Sequence, residues 1–252
     1  MIERISHVDG IVELRLNRPP VNALNPGLVS ELSQALASVE AGGAKGIVLS
    51  GSPGLFSAGL DVPGLLRLDE RSMRAFWREF FGLLEQLARS PAMICAALTG
   101  HSPAGGTVLA LFCDYRVLAK GDYRLGLNEV QVGLVVPPVI HQALVRLIGR
   151  YPAERHLVAG QMIPAEDALA IGLVDELVPL GEVVDQSVRW LQSHLDMPAH
   201  ALKATRQLCR ADLGALFDDP GALDIDAFVE GWFAEETQAT LERLVERLGK
   251  KS

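Results

Sequence analysis

Gly100-His101-Ser102-Pro103-Ala104-Gly105-Gly106-Thr107-Val108-Leu109-Ala110-Leu111-Phe112-Cys113-Asp114 is the stretch that decides how this chain is read. The apolar run Ala92–Leu98 leads into it and predicts a buried strand. A Pro and Gly-Gly turn follows, and the small-residue segment Thr107–Phe112 predicts a helix. Strand, glycine turn and helix together aim bare backbone N–H groups, at a positive helix end, into a pocket. With no side chain at Gly105, a ligand oxygen can approach that backbone closely. Such a turn binds an anion or stabilises one that forms during a reaction. The same arrangement also serves packing alone, so a second stretch has to decide.

Composition narrows the classes. The 252 residues suffice for one large domain, or one with a small C-terminal appendage. Hydrophobic residues at 49% with 21% charged residues describe a well-packed globule. The net charge of −8, with no block of Lys or Arg, argues against general nucleic-acid binding and against a basic membrane surface. An anionic small ligand, which needs only a few local cations, stays possible. Cys95, Cys113 and Cys209 are widely spaced, odd in number and without zinc-ligand spacing, so reduced, buried thiols are expected. Met1–His7 is polar and acidic where a signal peptide would place its apolar core, and no apolar stretch approaches the ~20 residues of a membrane span. The end Gly249-Lys250-Lys251-Ser252 is not a peroxisomal address. The expectation is a cytoplasmic protein.

Outward from the glycine turn, the chain alternates strands and helices early and is helical late. Val8-Asp9-Gly10 predicts a hairpin between Met1–His7 and Gly10–Asn17. Asn25-Pro26 opens a helix, with Asn25 as N-cap and Leu28, Leu32, Ala35, Leu36 and Val39 as its apolar face. Gly42-Gly43 ends it, and Gly46–Ser50 predicts a short buried strand. The run Gly51–Asp61 predicts a loop that packs inward on Leu55 and Phe56, followed by a long helix over Glu70–Ala88. Beyond the glycine turn the pattern predicts a strand at Asp114–Leu118 and an extended stretch at Tyr123–Val130. A helix follows from Pro137-Pro138 to Leu147, and a strand at Leu173–Leu177. Helices at Val183–Ser193, Pro198–Arg210 and Ile225–Leu248 complete an α/β core with a helical C-terminal part.

Two motifs together make the reading specific. Phe56-Ser57-Ala58-Gly59-Leu60-Asp61-Val62 and Gly100–Asp114 are spaced as in the crotonase, or enoyl-CoA hydratase/isomerase, family. Asn17-Arg18-Pro19 through Asn22-Ala23-Leu24, and the run Cys113–Ala119, resemble that family's pattern as well. The resemblance covers essentially the whole chain. The runs at 56–61, 103–106 and 126–129 are most similar to mitochondrial-type Δ3,Δ2-enoyl-CoA isomerases.

This resemblance implies a ClpP/crotonase-like spiral of ββα units over residues 1–195. It implies a C-terminal helical region over 196–252 that serves assembly into a homotrimer or a dimer of trimers. The substrate it implies is an acyl-CoA thioester whose carbonyl oxygen sits in an oxyanion hole made by the backbone N–H groups of Leu60 and Gly105. The loop Ala58, Gly59, Asp61 and Val62 would border the path of the adenine and pantetheine. No metal or redox cofactor, nucleic acid or membrane partner is implied.

Three positions then discriminate among reactions. Where hydratases carry a first Glu, this chain has Val108; the acid/base Glu shared by hydratases and isomerases matches Glu129; a third acidic position is occupied by Pro137. Hydration is helped by two carboxylates that activate a water, whereas a 1,3-proton shift runs on one. Glu129 lies among apolar residues, where burial would raise its pKa towards the operating pH. Asn128 would line the same pocket. The expected reaction is isomerisation of 3-enoyl-CoA to 2-trans-enoyl-CoA in fatty-acid β-oxidation. A hydratase is the rival, opposed by Val108. A non-catalytic binding protein, such as an RNA-binding relative, is opposed by the acidic balance and by Glu129.

Other candidates carry less. His101 reads as a core or pocket-wall residue, and neither Ser57 nor Ser102 lies in a nucleophile elbow. Asp61 reads as a cap that pins its loop. Lys203 and Arg206 read as a solvated helix face rather than as partners of a CoA phosphate. Phe76, Trp77, Phe80 and Val135–Ile140 are the expected acyl-chain wall. Phe228, Trp232 and Phe233 are the expected subunit-packing residues.

Overall fold

The computed structural model describes residues Met1–Gly249; Lys250, Lys251 and Ser252, the end of the tail motif, lie outside the described residues. Strands β1 (Ile2–Ser6) and β2 (Ile11–Leu16) form the expected hairpin, with Ile2 opposite Leu16. Asp9 and Gly10 turn it at φ 58° and 77°. Helix α1 (Pro26–Ala41) starts where the Asn25 side chain accepts a 2.8 Å hydrogen bond from Leu28 N–H, and its predicted apolar face is buried.

The chain then alternates between two sheets. Strands β3 (Gly46–Ser50) and β4 (Gly54–Leu55) are followed by helices α2 (Val62–Leu65) and α3 (Glu70–Arg89). Strands β5 (Met93–Leu98) and β6 (Gly100–Pro103) are followed by α4 (Gly105–Leu111). Strands β7 (Tyr115–Ala119) and β8 (Arg124–Gly126) lead to a 3-10 turn at Glu129–Val132, then α5 (Pro138–Ile148) and α6 (Arg150–Ala159). The first strand of each pair joins a six-stranded sheet of order β1-β2-β3-β5-β7-β10, parallel beyond the hairpin; β10 is Glu176–Val178. The second joins a four-stranded sheet of order β4-β6-β8-β9, where β9 is Ile163–Pro164. Repeated ββ-then-helix units of this kind are the expected crotonase-type spiral. Helices α7 (Ala165–Ala170), α8 (Val183–Leu195), α9 (Ala199–Cys209), α10 (Ala211–Ala215), α11 (Pro220–Leu223), α12 (Ile225–Phe233) and α13 (Glu235–Gly249) complete it.

The central strands are buried on both faces, which is why they read as continuous apolar runs rather than alternating ones. Ile47, Leu49, Ile94, Ala96 and Leu98 face the core shared with α1 and α3, while Val48, Cys95, Ala97 and Val117 face α8 through Val183, Val188 and Leu191. Among the described residues no helix is long and apolar enough to cross a membrane.

The structure corrects several expectations. Gly100–Pro103 is a strand, so the turn proper is only Ala104, because the chain crosses between sheets at Gly100. The stretch after Tyr123 stays extended only to Gly126, and Glu129 opens a 3-10 turn. Leu173 and Val174 are apolar because they plug the core at 1% exposure; the strand itself begins at Glu176. The last long helix is two, broken at Ala234, whose ψ of 140° is extended. Cys209 is exposed, not buried. Phe228 and Trp232 are buried within their own chain, where α12 packs on α3.

Gly100 tests the sheet switch. It sits at φ +152°, and a Cβ there would lie 2.0 Å from the Gly54 carbonyl carbon. Gly100→Ala is expected to lower the melting temperature by more than about 10 °C or to prevent soluble expression. Loss of the cap in Asn25→Ala should cost about 1 kcal/mol, roughly 2–4 °C. A Gly100→Ala protein that melts within a few degrees of wild type would contradict this packing.

Candidate active site

The loop carrying Leu60 is set by the segment Arg18–Leu24. Buried Asn22, at φ 49°, accepts from Arg18 N–H at 2.8 Å and donates to the Phe56 carbonyl at 3.1 Å. Ser57 Oγ donates to the Asn22 carbonyl at 2.8 Å and accepts from Gly59 N–H at 3.1 Å. Leu24 N–H then donates to the Gly59 carbonyl (2.7 Å), and Asp61 N–H to the Leu24 carbonyl (2.9 Å). Both neighbours of Leu60 are thereby tied down. Asp61 caps α2 through Gly64 N–H (3.2 Å) and pairs with Arg18 at 2.7 Å, so it pins the loop as expected. Ala58 and Val62 flank the bend, both half-buried.

The second loop meets the first. Ala104 precedes α4 at φ 46° and ψ −117°, a conformation that costs a residue with a Cβ about 1–3 kcal/mol. Its N–H donates to the Gly126 carbonyl (2.8 Å), and the Thr107 hydroxyl accepts from Gly126 N–H (2.8 Å) while donating to the Ser102 carbonyl. Gly59 sits against this turn so closely that a Cβ on it would lie 3.0 Å from the Pro103 carbonyl oxygen and 3.4 Å from Gly105 N. Among the described residues neither the Leu60 nor the Gly105 N–H donates to any protein atom.

Leu60 and Gly105 border one narrow pocket together with Glu129. Val108, Leu134, Pro137 and Ile140 line it together with Trp77, Phe80 and Phe228. Glu129 is its one charged side chain. The turn that carries it is held from outside: the Thr237 hydroxyl on α13 donates to the Gly133 carbonyl at 2.9 Å, and the Gln131 amide donates to the Gly160 carbonyl at 2.9 Å. Glu129 Oε2 is shut off from solvent and hydrogen-bonds to nothing among the described residues. Loss of hydration disfavours the charged form, a hydrogen bond from the Glu129 backbone N–H offsets this only in part, and the carboxyl pKa rises from 4.5 to about 7.

Of the residues expected here, Glu129, Leu60, Gly105, Val108 and Pro137 come together at the pocket, while Asn128 is not among those lining it. Its carbonyl instead starts the 3-10 turn by accepting from Gln131 N–H. His101 is exposed, contrary to expectation, and its Nδ1 accepts from Arg124 N–H at 3.2 Å. Arg206 is no solvated side chain: it forks onto Asp114 at 2.7 and 2.9 Å and donates to the Ser90 carbonyl, whereas Lys203 is exposed. Phe76 packs behind the wall rather than in it, and Val135 is 82% exposed. Sequence reasoning missed Leu134 and Phe228. The aromatic character of Phe228 was visible, but only the fold of α12 onto α3 shows which way it serves.

Over residues 6–250 the chain matches the family described as Enoyl-CoA hydratase/isomerase. It is 32% identical over 242 residues to human Enoyl-CoA delta isomerase 1, mitochondrial, covering 95% of this chain and 80% of that one. It is also 33% identical over 215 residues to a probable enoyl-CoA hydratase of Mycobacterium avium, covering 84% and 81%. Among solved structures, human mitochondrial delta3-delta2-enoyl-CoA isomerase superposes with a TM-score of 0.93 at 30% identity, over 100% of this chain and 99% of that one.

The raised pKa has a consequence for stability. Native Glu129 keeps its proton up to pH about 7, whereas the unfolded chain releases it near 4.5, so the native state binds more protons between those values. Wild type therefore loses stability relative to Glu129→Gln as pH rises from 4.5 through 7, by about 3 kcal/mol at most. The variant should melt with wild type below pH 4.5 and several degrees above it at pH 8. Equal melting temperatures at pH 8 would contradict the isolation of this carboxyl.

Proposed function

The chain belongs to the enoyl-CoA hydratase/isomerase family, and from that premise we propose that it moves the double bond of a 3-enoyl-CoA to the 2-trans position. The observation that carries the reading is Glu129, a single carboxyl in an otherwise apolar pocket beside two N–H groups that no protein atom uses. A thioester α-proton is acidic only when the enolate oxygen it leaves behind is stabilised. Two fixed backbone donors are suited to that, each worth ~3 kcal/mol of barrier by analogy with acyl-transfer sites. They carry no proton that could be lost, and their geometry is set before substrate arrives.

In this mechanism the thioester oxygen accepts hydrogen bonds from Leu60 N–H and Gly105 N–H. Glu129 as carboxylate removes a proton from C2, the electron pair spreads onto the thioester oxygen and over C4, and the same carboxyl returns the proton at C4. A pKa of about 7 suits a group that must both take and give a proton near neutrality. Hydration would need a water held and activated in addition. The positions that would carry a second carboxylate are Val108, 2% exposed, and buried Pro137, which leave no acid to orient that water.

The reading includes a homotrimer or a dimer of trimers. With Phe228 and Trp232 buried within the chain, its support moves to Val130, Val135, Tyr151 and Val158, which are 49–82% exposed. Sedimentation at micromolar concentration should give a trimer or its multiple; a monomer would contradict this part.

Glu129→Gln keeps the shape of the side chain and removes the proton carrier. Isomerisation of 3-hexenoyl-CoA should fall by several powers of ten with acyl-CoA binding retained, since each proton transfer contributes ~10²–10⁴-fold. Wild-type kcat/KM should rise through pH about 7 as Glu129 loses its proton. Val108→Glu should raise crotonyl-CoA hydration from a low background. A wild type that hydrates crotonyl-CoA as fast as it isomerises, or an active Glu129→Gln, would overturn the assignment.

A further inference from the structure

We propose that Thr107 is a positioning residue, whose hydroxyl holds the strand leading to Glu129 in place against the turn that presents Gly105 N–H. The proposal rests on the acyl-CoA reading of the site and deepens it. The Ala104 backbone, at φ 46° and ψ −117°, is unfavourable for a residue with a Cβ, and such strain persists only where surrounding contacts over-determine it. Those contacts converge on Gly126. Its carbonyl accepts from Ala104 N–H at 2.8 Å, and its N–H donates to the Thr107 hydroxyl at 2.8 Å. The same hydroxyl donates to the Ser102 carbonyl, on the strand that enters the turn. One side chain therefore joins three pieces of chain: β6 before the turn, α4 after it, and the end of β8.

Thr107 is 1% exposed, which puts both bonds out of reach of solvent, so a side chain without the hydroxyl would leave the Gly126 N–H unpaired. Gly126 itself is closely packed. It sits at φ +146°, and a Cβ on it would lie 2.5 Å from the Gln161 carbonyl oxygen. Glu129 stands three residues further on, and Leu127 between them is buried. The two groups that must act on one thioester, the Gly105 N–H and the Glu129 carboxyl, are thus referenced to the same clamp. Thr107 does not line the pocket and acts through the placement of both. A displacement of about 1 Å in such groups costs on the order of 100-fold in rate.

The test compares Thr107→Val, which keeps the shape of the side chain and removes the hydroxyl, with Thr107→Ser, which keeps the hydroxyl. In Thr107→Val, kcat for 3-hexenoyl-CoA should fall about 10–100-fold while hexanoyl-CoA affinity stays within about threefold of wild type, because transition-state contacts are displaced and ground-state binding is not. Thr107→Ser should return kcat to within about threefold of wild type. A second readout needs no turnover. Hexanoyl-CoA isotopically labelled at its thioester carbonyl reports the backbone donors through its infrared band, which hydrogen bonding moves to lower frequency. The wild-type shift should shrink in Thr107→Val and persist in Thr107→Ser. If Thr107→Val fails to melt cooperatively, Thr107→Ala, which empties the position instead of filling it, carries the same predictions. An unchanged kcat or an unchanged band in the folded variant overturns the proposal, as does a loss that Thr107→Ser fails to restore. A thioester band unshifted in wild type would overturn the acyl-CoA reading and the proposal with it. A shift that Thr107→Val relaxes, in a protein that isomerises nothing, would sink the reaction and leave the positioning role standing.

Discussion

The site depends on a close approach of two backbones that only a missing side chain allows. Gly59, at φ +82°, lies so close to the Pro103–Gly105 turn that a Cβ on it would sit 3.0 Å from the Pro103 carbonyl oxygen, tight enough to force the turn to give. That contact brings the loop after β4 beside the loop after β6, and both come from the four-stranded sheet that the chain enters at Gly54 and Gly100. Leu24 binds on both sides of Leu60, and Gly126 binds Ala104, while among the described residues the N–H groups of Leu60 and Gly105 donate to no protein atom. Ala104, at φ 46°, carries the backbone strain of the turn that leads into Gly105.

Against those donors stands an acid that the fold isolates. A carboxyl in an apolar pocket is unfavourable when charged, and the one backbone hydrogen bond it accepts relieves this only in part. The surrounding packing keeps it there: Thr237 and Gln131 brace the turn, and Leu134, the residue after Gly133-αL, seals it with a backbone bond to the Glu129 carbonyl at 3.0 Å. The C-terminal helices thus act on the pocket twice, once by bracing Glu129 from α13 and once by supplying Phe228 from α12.

Much of this was legible because the decisive features are local in sequence. The Asp9-Gly10 turn, the Asn25 cap and the two glycine loops each announce themselves within a few residues; the acid/base role of Glu129 came from the family resemblance, and its apolar neighbours then predicted the raised pKa. What could not be read depends on which distant segment covers a residue. Leu173 and Val174 look like a strand because core plugs and strands share an apolar composition. Phe228 and Trp232 look like interface residues until α12 is seen folded on α3. Arg206 looks solvated until Asp114, 92 residues earlier, is found beneath it. His101 looks internal because it sits next to buried Gly100 and Ser102, but the strand alternates and turns it outward.

The central claim is that Glu129 is held desolvated, half-protonated near neutrality, in the pocket that Leu60 and Gly105 border. Difference infrared titration of wild type against Glu129→Gln, followed at the carboxyl and carboxylate bands, measures this without substrate. The account predicts one carboxyl titrating with a midpoint near pH 7 in the wild type and missing from the variant. A Glu129 band that titrates near pH 4.5 would mean the carboxyl is solvated or paired, and would contradict the account.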